Sequence, residues 1–152
     1  MNGTSDPRTR GSLELLGLLP ASGPLAALGC GDAVLAVTAA QLGFAPVQAV
    51  DIRPEAALAT LAAAARADVV VDCRIVDLLV MPAPFAPVVC ADVPVRVHAA
   101  IAAQMPDWPD HLIASGFGRD GLDAVADGYA RLGLAPGRTT EHERWITCLF
   151  AR

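Results

Sequence analysis

The sequence predicts an α/β domain: a doubly wound, mostly parallel sheet of seven strands that ends in an antiparallel hairpin. Three observations carry this. Short apolar segments alternate with stretches of helical periodicity, and the connections are short. Parallel strands can be joined only by crossovers of that kind. The last two strand-like segments, in LAPGRTTEHERWITCLFAR, have no helical stretch between them and should pair as a hairpin at one edge. The 152 residues suit one hydrophobic core, and no internal repeat or linker divides them. A single domain over 1–152 is expected, with 1–22 as a leading segment and helix and 23–152 as the core.

The elements follow in order. TRGSLELLGLLP has leucines at helical spacing and stops at Pro20. PLAALG is a short strand, and AVLAVTAAQLG is a helix with Gly43 as its C-terminal stop. APVQAVD reads as a strand ending at Asp51. RPEAALATLAAAARA is a helix, with Pro54 in its first turn and Glu55 beside the positive end of its dipole. VVVDCRIVD is a β-branched strand, and the Pro-rich MPAPFAP leads to the strand VVCADV. VRVHAAIAAQM is apolar at helical spacing and ends before Pro106. HLIASGF is a strand running into Gly116, and RDGLDAVADGYARLG is helical up to Gly133. The final hairpin turns near Glu141 and His142.

Composition narrows the function classes. Hydrophobic residues make up 54% and charged residues 18%, and the mean hydropathy is +0.46, which excludes disorder. So apolar a chain leaves room for a homodimer or a partner subunit. The net charge of -5 gives no counterion-release term for nucleic acid. No apolar run spans a bilayer, and MNGTSDPRTRG has no apolar core of a signal peptide. No membrane or nucleic-acid partner is therefore expected, and the expected compartment is cytoplasmic. Cys30, Cys73, Cys90 and Cys148 show no C-x-x-C spacing and read as buried reduced thiols.

In a doubly wound sheet, ligands sit at the carboxyl ends of the strands, where strand order reverses. Gly29 and Gly31 stand at the end of the first strand, where glycine lets the backbone turn tightly and approach a ligand. About 20 residues on, Asp51 ends the second strand, and its carboxylate can accept from both hydroxyls of a ribose. The plainer alternative is a tight turn with Asp51 as a helix N-cap. Asp77 follows the third strand, where a base would lie, and reads equally as an acceptor for an exocyclic amine or a solvated turn residue. Asp32 reads as the cap of a helix beginning at Ala33. His98 reads as packed, and His111 and His142 have no metal-ligand spacing, so no metal is expected. Trp108, beside two prolines, fits a pocket wall and a core position equally. No serine or cysteine has the setting of a nucleophile.

These segments resemble, in order, the bacterial methyltransferases of the PrmA kind, which methylate amino groups of a large-subunit ribosomal protein. NGTSDPRTRGSLELL is similar to that family's F-G-T-G-x-H-P-T-T stretch and its leucine-rich helix, keeping Gly3, Thr4, Pro7 and Thr9. ALGCGDAVLAVTAA is similar to the cofactor loop D-x-G-C-G-S-G-I-L-A-I-A-A, and AVDIRPEAA to the acid–x–x–Pro turn after it. VVCADVP, IASGF and ERWITCLF resemble V-V-A-N-I-L, L-S-G-I and E-W-x-x-L. The resemblance implies a class I, Rossmann-like methyltransferase fold with S-adenosylmethionine as cofactor. The implied cofactor residues are Thr4, Gly29, Cys30, Gly31, Asp51, Ile52, Asp77 and Asp92, with Asp92 also as the catalytic residue.

The departures matter as much. The resemblance starts with the family's catalytic domain, so the expectation is that the substrate-recruiting leading domain is absent and the ribosomal substrate is not carried over. Ala27 replaces the loop acid, Ala33 replaces the third loop glycine, the histidine of the first motif is missing beside Asp6, and Asp92 replaces an asparagine. A lost charge-assisted hydrogen bond at Ala27 would cost about 1.5–3 kcal/mol. Ala33 is mild in an ordinary helical conformation and costly if φ must be positive.

The expected function is methyl transfer to nitrogen of a small molecule or peptide, with Asp92 holding an amine or acting as base. Asp92 reads alternatively as the N-cap of VRVHAAIA. Two other functions stay open. One is a methyltransferase fold turned to cyclisation, elimination or isomerisation; the other is a non-catalytic subunit.

Overall fold

The computed structural model describes residues 6–31 and 33–152; Thr4 and Asp32 lie outside the described residues. Helix α1 (Pro7–Leu16) starts with proline in its first turn and Asp6 as N-cap, the Asp6 side chain accepting from the Arg8 amide. Strand β1 (Leu25–Leu28) then enters the glycine loop. Helix α2 (Val34–Leu42) ends on Gly43, and β2 (Val47–Asp51) leads to α3 (Pro54–Arg66). Strand β3 (Asp72–Ile75), β4 (Val88–Asp92), α4 (Val95–Gln104), β5 (His111–Phe117) and α5 (Leu122–Ala130) follow. The chain closes with β6 (Ala135–His142) and β7 (Trp145–Ala151).

All seven strands form one sheet in the order β3-β2-β1-β4-β5-β7-β6. The pairs β1–β2, β1–β4, β2–β3 and β4–β5 are parallel; β5–β7 and β6–β7 are antiparallel. Strand order reverses between β1 and β4, so the carboxyl ends of these two strands open onto a crevice. Alternation along β1 sends Leu25 and Ala27 to one core and Ala26 and Leu28 to the other. The first core packs α1, α2 and α3 with small residues, Ala36, Ala39, Ala56 and Ala64 among them. The second is larger-grained, with Tyr129, Phe117 and Phe150 under α4 and α5. The doubly wound sheet and its closing hairpin are as the sequence predicts.

Several local expectations are corrected. The first helix stops at Gly17 rather than Pro20, and Leu18 beyond it is exposed. Strand β3 keeps only four residues of its nine-residue run, because it is an edge strand with a largely exposed surface. For the same reason Cys73 is half-buried, whereas Cys30, Cys90 and Cys148 are buried; all four thiols are free. A 3-10 turn (Arg119–Gly121) precedes α5. Trp108 is not a core residue and does not wall the crevice. It is 42% exposed before the amino end of β5, away from the crevice, with the Arg152 guanidinium 4.1 Å over its ring. Among the described residues no helix is long and apolar enough to cross a membrane.

Candidate functional site: a cleft at the carboxyl ends of β1, β2 and β4

The cleft begins with the glycine loop. After β1, the Gly29 and Cys30 amides both donate to the Val50 carbonyl, at 2.8 and 3.1 Å, which folds the loop over the end of β2. Gly29 has φ +79°, and a Cβ there would meet the Asp92 carbonyl oxygen at 2.5 Å, so only glycine seats the loop against β4. Gly31, at φ +52°, differs: a Cβ there would meet nothing within 4 Å. Its bare side faces open space rather than protein, as a loop that admits a ligand requires. The Cys30 thiol points into the small-residue core, where it accepts from the Thr60 hydroxyl at 3.3 Å and lies 4.0 Å from the Cys73 sulfur. Only the backbone of Cys30 shapes the loop.

Ala33 is not the first residue of the helix. It precedes α2 at φ 78°, ψ −8°, in the left-handed region, and is fully buried. The loop therefore keeps a conformation made for glycine while carrying a Cβ, a strain of about 1–2 kcal/mol. Ala27 is buried among Leu15, Leu16 and Ala36 beneath α1. A carboxylate at that place would have to be paired within an apolar layer.

Asp51 is 6% exposed at the end of β2. Its Oδ2 accepts from the Gly31 amide at 3.1 Å; its Oδ1 accepts from the Arg53 amide at 3.0 Å and from Arg53 Nε at 3.2 Å. Burial alone would raise its pKa, but the hydrogen bonds from Arg53 and Gly31 outweigh burial and hold the carboxyl below its ordinary value. Asp51 is thus an ionised acceptor. It is not a helix N-cap, since that position is Arg53.

Two cavities meet at this point. One, of about 290 Å³, is walled by Asp51, the exposed Ile52, Val76, Asp77, Leu78 and Val97. The other, of about 390 Å³, is walled by Arg8, Ser12, Gly31, Leu35 and Glu55. Gly29, Arg53 and Asp92 border both. Asp77 accepts from the Leu79 amide at 3.0 Å through Oδ1, so half its carboxylate serves its own turn. Asp92 ends β4 with Arg8 Nε 3.9 Å from its Oδ1. It is not the N-cap of α4, which is Pro94. The structure thereby brings Gly29, Gly31, Asp51, Ile52, Asp77 and Asp92 to one cleft. Its two chambers suit an elongated ligand with a diol near Asp51, a planar group beside Ile52 and a cationic portion near Asp92, and S-adenosylmethionine has those parts.

His98 lies outside the cleft but holds its β4 rim. It is buried, with Nδ1 2.7 Å from the Tyr129 hydroxyl and Nε2 2.9 Å from the Ser115 carbonyl. That carbonyl also accepts from the Val93 amide, the residue after Asp92. Burial lowers the His98 pKa to about 4, so the ring is neutral and packed, as the sequence predicts. Among the described residues no group of three or more His, Cys, Asp or Glu side chains is arranged to hold a metal ion; His142 instead lies 2.8 Å from Glu14. Sequence reasoning missed Arg8 and Arg53. An arginine two residues after a strand-ending acid is the one signal that points to Arg53; nothing local points to Arg8, which reaches the cleft through the docking of α1.

Comparison with known proteins agrees with this geometry. The chain matches the family Ribosomal protein L11 methyltransferase (PrmA) over residues 3–152. It is 30% identical over 147 residues to the ribosomal protein L11 methyltransferase of Geobacter metallireducens, covering 95% of this chain and 49% of that protein. It is 36% identical over 134 residues to the protein of the same name from Bordetella parapertussis, covering 86% and 42%. The chain spans about half the length of these curated relatives. The ribosomal protein L11 methylase from Lactobacillus delbrueckii subsp. bulgaricus superposes with a TM-score of 0.76 at 22% identity, over 85% of this chain and 69% of that one. Magnesium protoporphyrin IX methyltransferase from Synechocystis PCC 6803, solved with bound SAM, superposes with a TM-score of 0.70 at 18% identity, over 91% and 74%. The solved structures give the fold and the sequence match gives the lineage: the chain belongs to the PrmA family of S-adenosylmethionine-dependent methyltransferases.

Proposed function

We propose that this domain transfers a methyl group from S-adenosylmethionine to nitrogen of a small molecule or peptide. One observation carries the reading: Asp51 and Asp92, at the carboxyl ends of β2 and β4, flank the open side of the glycine loop where strand order reverses. When bound, the cofactor supplies a methyl group already activated on a sulfonium, so the protein mainly aligns donor and acceptor. Asp51 accepts from the ribose hydroxyls, and Ile52 and Asp77 border the base. Asp92 accepts a hydrogen bond from the acceptor amine, orients its lone pair and takes up its proton. Arg8, close to Asp92, provides the opposite charge for an acceptor that also carries an anionic group.

The test is isothermal titration with S-adenosylmethionine and S-adenosylhomocysteine, on the native protein and on Asp51→Ala. Micromolar binding lost in the variant supports the site and justifies an acceptor screen of amines, peptides and ribosomal protein. Absence of binding at millimolar ligand rejects it. The strained Ala33 favours a second reading, in which the loop has lost tight cofactor binding and the cleft serves a non-methylating reaction or a partner enzyme. Methyl transfer to any acceptor excludes that alternative.

A further inference from the structure

Asp51 is expected to receive a ribose, yet the structure shows its carboxylate already occupied. A carboxylate oxygen has two lone pairs. On Oδ1 both are taken by one residue, by the Arg53 amide at 3.0 Å and Arg53 Nε at 3.2 Å. On Oδ2 one is taken by the Gly31 amide at 3.1 Å, and Arg53 Nη2 approaches the other at 3.5 Å. The Arg53 guanidinium thus lies along the edge of the carboxylate that a vicinal diol would use, with donors placed as two hydroxyls would place theirs. The backbone bonds from Gly31 and Arg53 are fixed by the fold. The side-chain bonds are not: the Arg53 side chain is 56% exposed.

We propose that Arg53 is a displaceable stand-in for the ribose diol, a latch that closes the nucleoside chamber and must swing aside before a nucleoside ligand binds Asp51. The inference rests on the proposed cofactor site. It has three supports besides the contacts themselves. Arg53 borders both cavities, so its movement joins them into one cleft. A second anion waits for the released guanidinium: Glu55, on the wall of the larger cavity, already acts electrostatically on Arg53. And Arg53 caps no helix through its side chain, so its movement leaves α3 intact. The latch makes apparent affinity the intrinsic affinity reduced by the fraction of molecules with Arg53 displaced.

The experiment compares native protein, Arg53→Ala and Arg53→Lys by isothermal titration with S-adenosylhomocysteine, adenosine and 2′,3′-dideoxyadenosine. Far-UV circular dichroism and melting temperature confirm that the variants fold. Arg53→Ala should bind S-adenosylhomocysteine and adenosine about three- to tenfold more tightly, with Arg53→Lys in between. The gain should vanish for the dideoxy ligand, which has no diol to contest the carboxylate; mere loosening of the loop would change all three ligands alike. Rising salt should improve the native affinity for adenosine, a neutral ligand, and leave Arg53→Ala unchanged. Unchanged or weaker binding by Arg53→Ala, with native binding that still depends on Asp51, overturns the latch alone. No binding to native protein or variant overturns the cofactor site and the latch together.

Discussion

The two ends of the cleft are held by different means. At the β2 end, among the described residues, the bonds to the Asp51 carboxylate come from its own neighbourhood and the adjacent loop, from Arg53 and Gly31. At the β4 end, Asp92 is positioned by partners far away in the chain. Arg8 reaches it from α1, and His98 on α4 pins Ser115 on β5, whose carbonyl receives the Val93 amide. The β2 end is therefore a product of strand register, and the β4 end a product of tertiary packing. A cofactor shared by a whole family can be met by the first; an acceptor peculiar to each member is better met by the second, where surrounding side chains change without breaking the sheet.

The comparison can be broken at either end. The largest expected effect is that of Asp51→Ala, which should weaken S-adenosylhomocysteine at least about a hundredfold in isothermal titration, because two charge-assisted bonds are lost. Asp92→Asn should weaken S-adenosylmethionine, whose cationic portion lies near Asp92, by up to about tenfold, and flatten the pH dependence of methyl transfer, since the amide still holds an amine and cannot take its proton.

Acid unfolding separates the ends by pH window. His98 has a folded pKa of about 4 against 6.5 for the free side chain. Its stabilisation is present above pH 6.5 and lost as pH falls toward 4, a loss of about 3 kcal/mol. Asp51, depressed below 3.8, keeps its contribution until pH falls under that value. Urea unfolding of His98→Gln should show a flatter stability curve between pH 7 and 4, and Asp51→Asn a flatter curve only below. The smallest effect is that of Ala33→Gly. Relief of the left-handed strain should raise stability by about 0.5–1 kcal/mol and tighten cofactor binding to match; a lower melting temperature would show that the loop is not strained.

The difference between the two ends also explains what was legible in the sequence. The strand, glycine loop, helix and Asp51 follow from local rules, so they, the doubly wound sheet and its closing hairpin could be read directly. The φ of Ala33 could not, because the same residue is harmless in a helix and strained one position before it. Arg8, Ser12 and the His98–Tyr129 pair were illegible for another reason. Ser12 donates to Ser115 across 103 residues and His98 meets Tyr129 across 31, separations at which spacing carries no signal. The edge strand β3 was overread because a run of valines shows apolar preference but not how many neighbours the strand will find.

Helix α1 has a further consequence, for the order in which the domain is made. It packs against β5, β6 and β7, and Gly11 lies so close to β7 that a Cβ would meet the Thr147 hydroxyl at 2.3 Å. The earliest described helix thus takes part of its seat from α2 and β1 and the rest from β5, β6 and β7, strands made well after it. Arg8, Thr9 and Ser12, one wall of the larger chamber, are fully supported only once those later strands are in place. A growing chain can lay down β1, β2 and Asp51 early, but the larger chamber is complete only after β7 is made. A chain that lacks β7 therefore lacks part of the platform that holds this wall of the cleft in place.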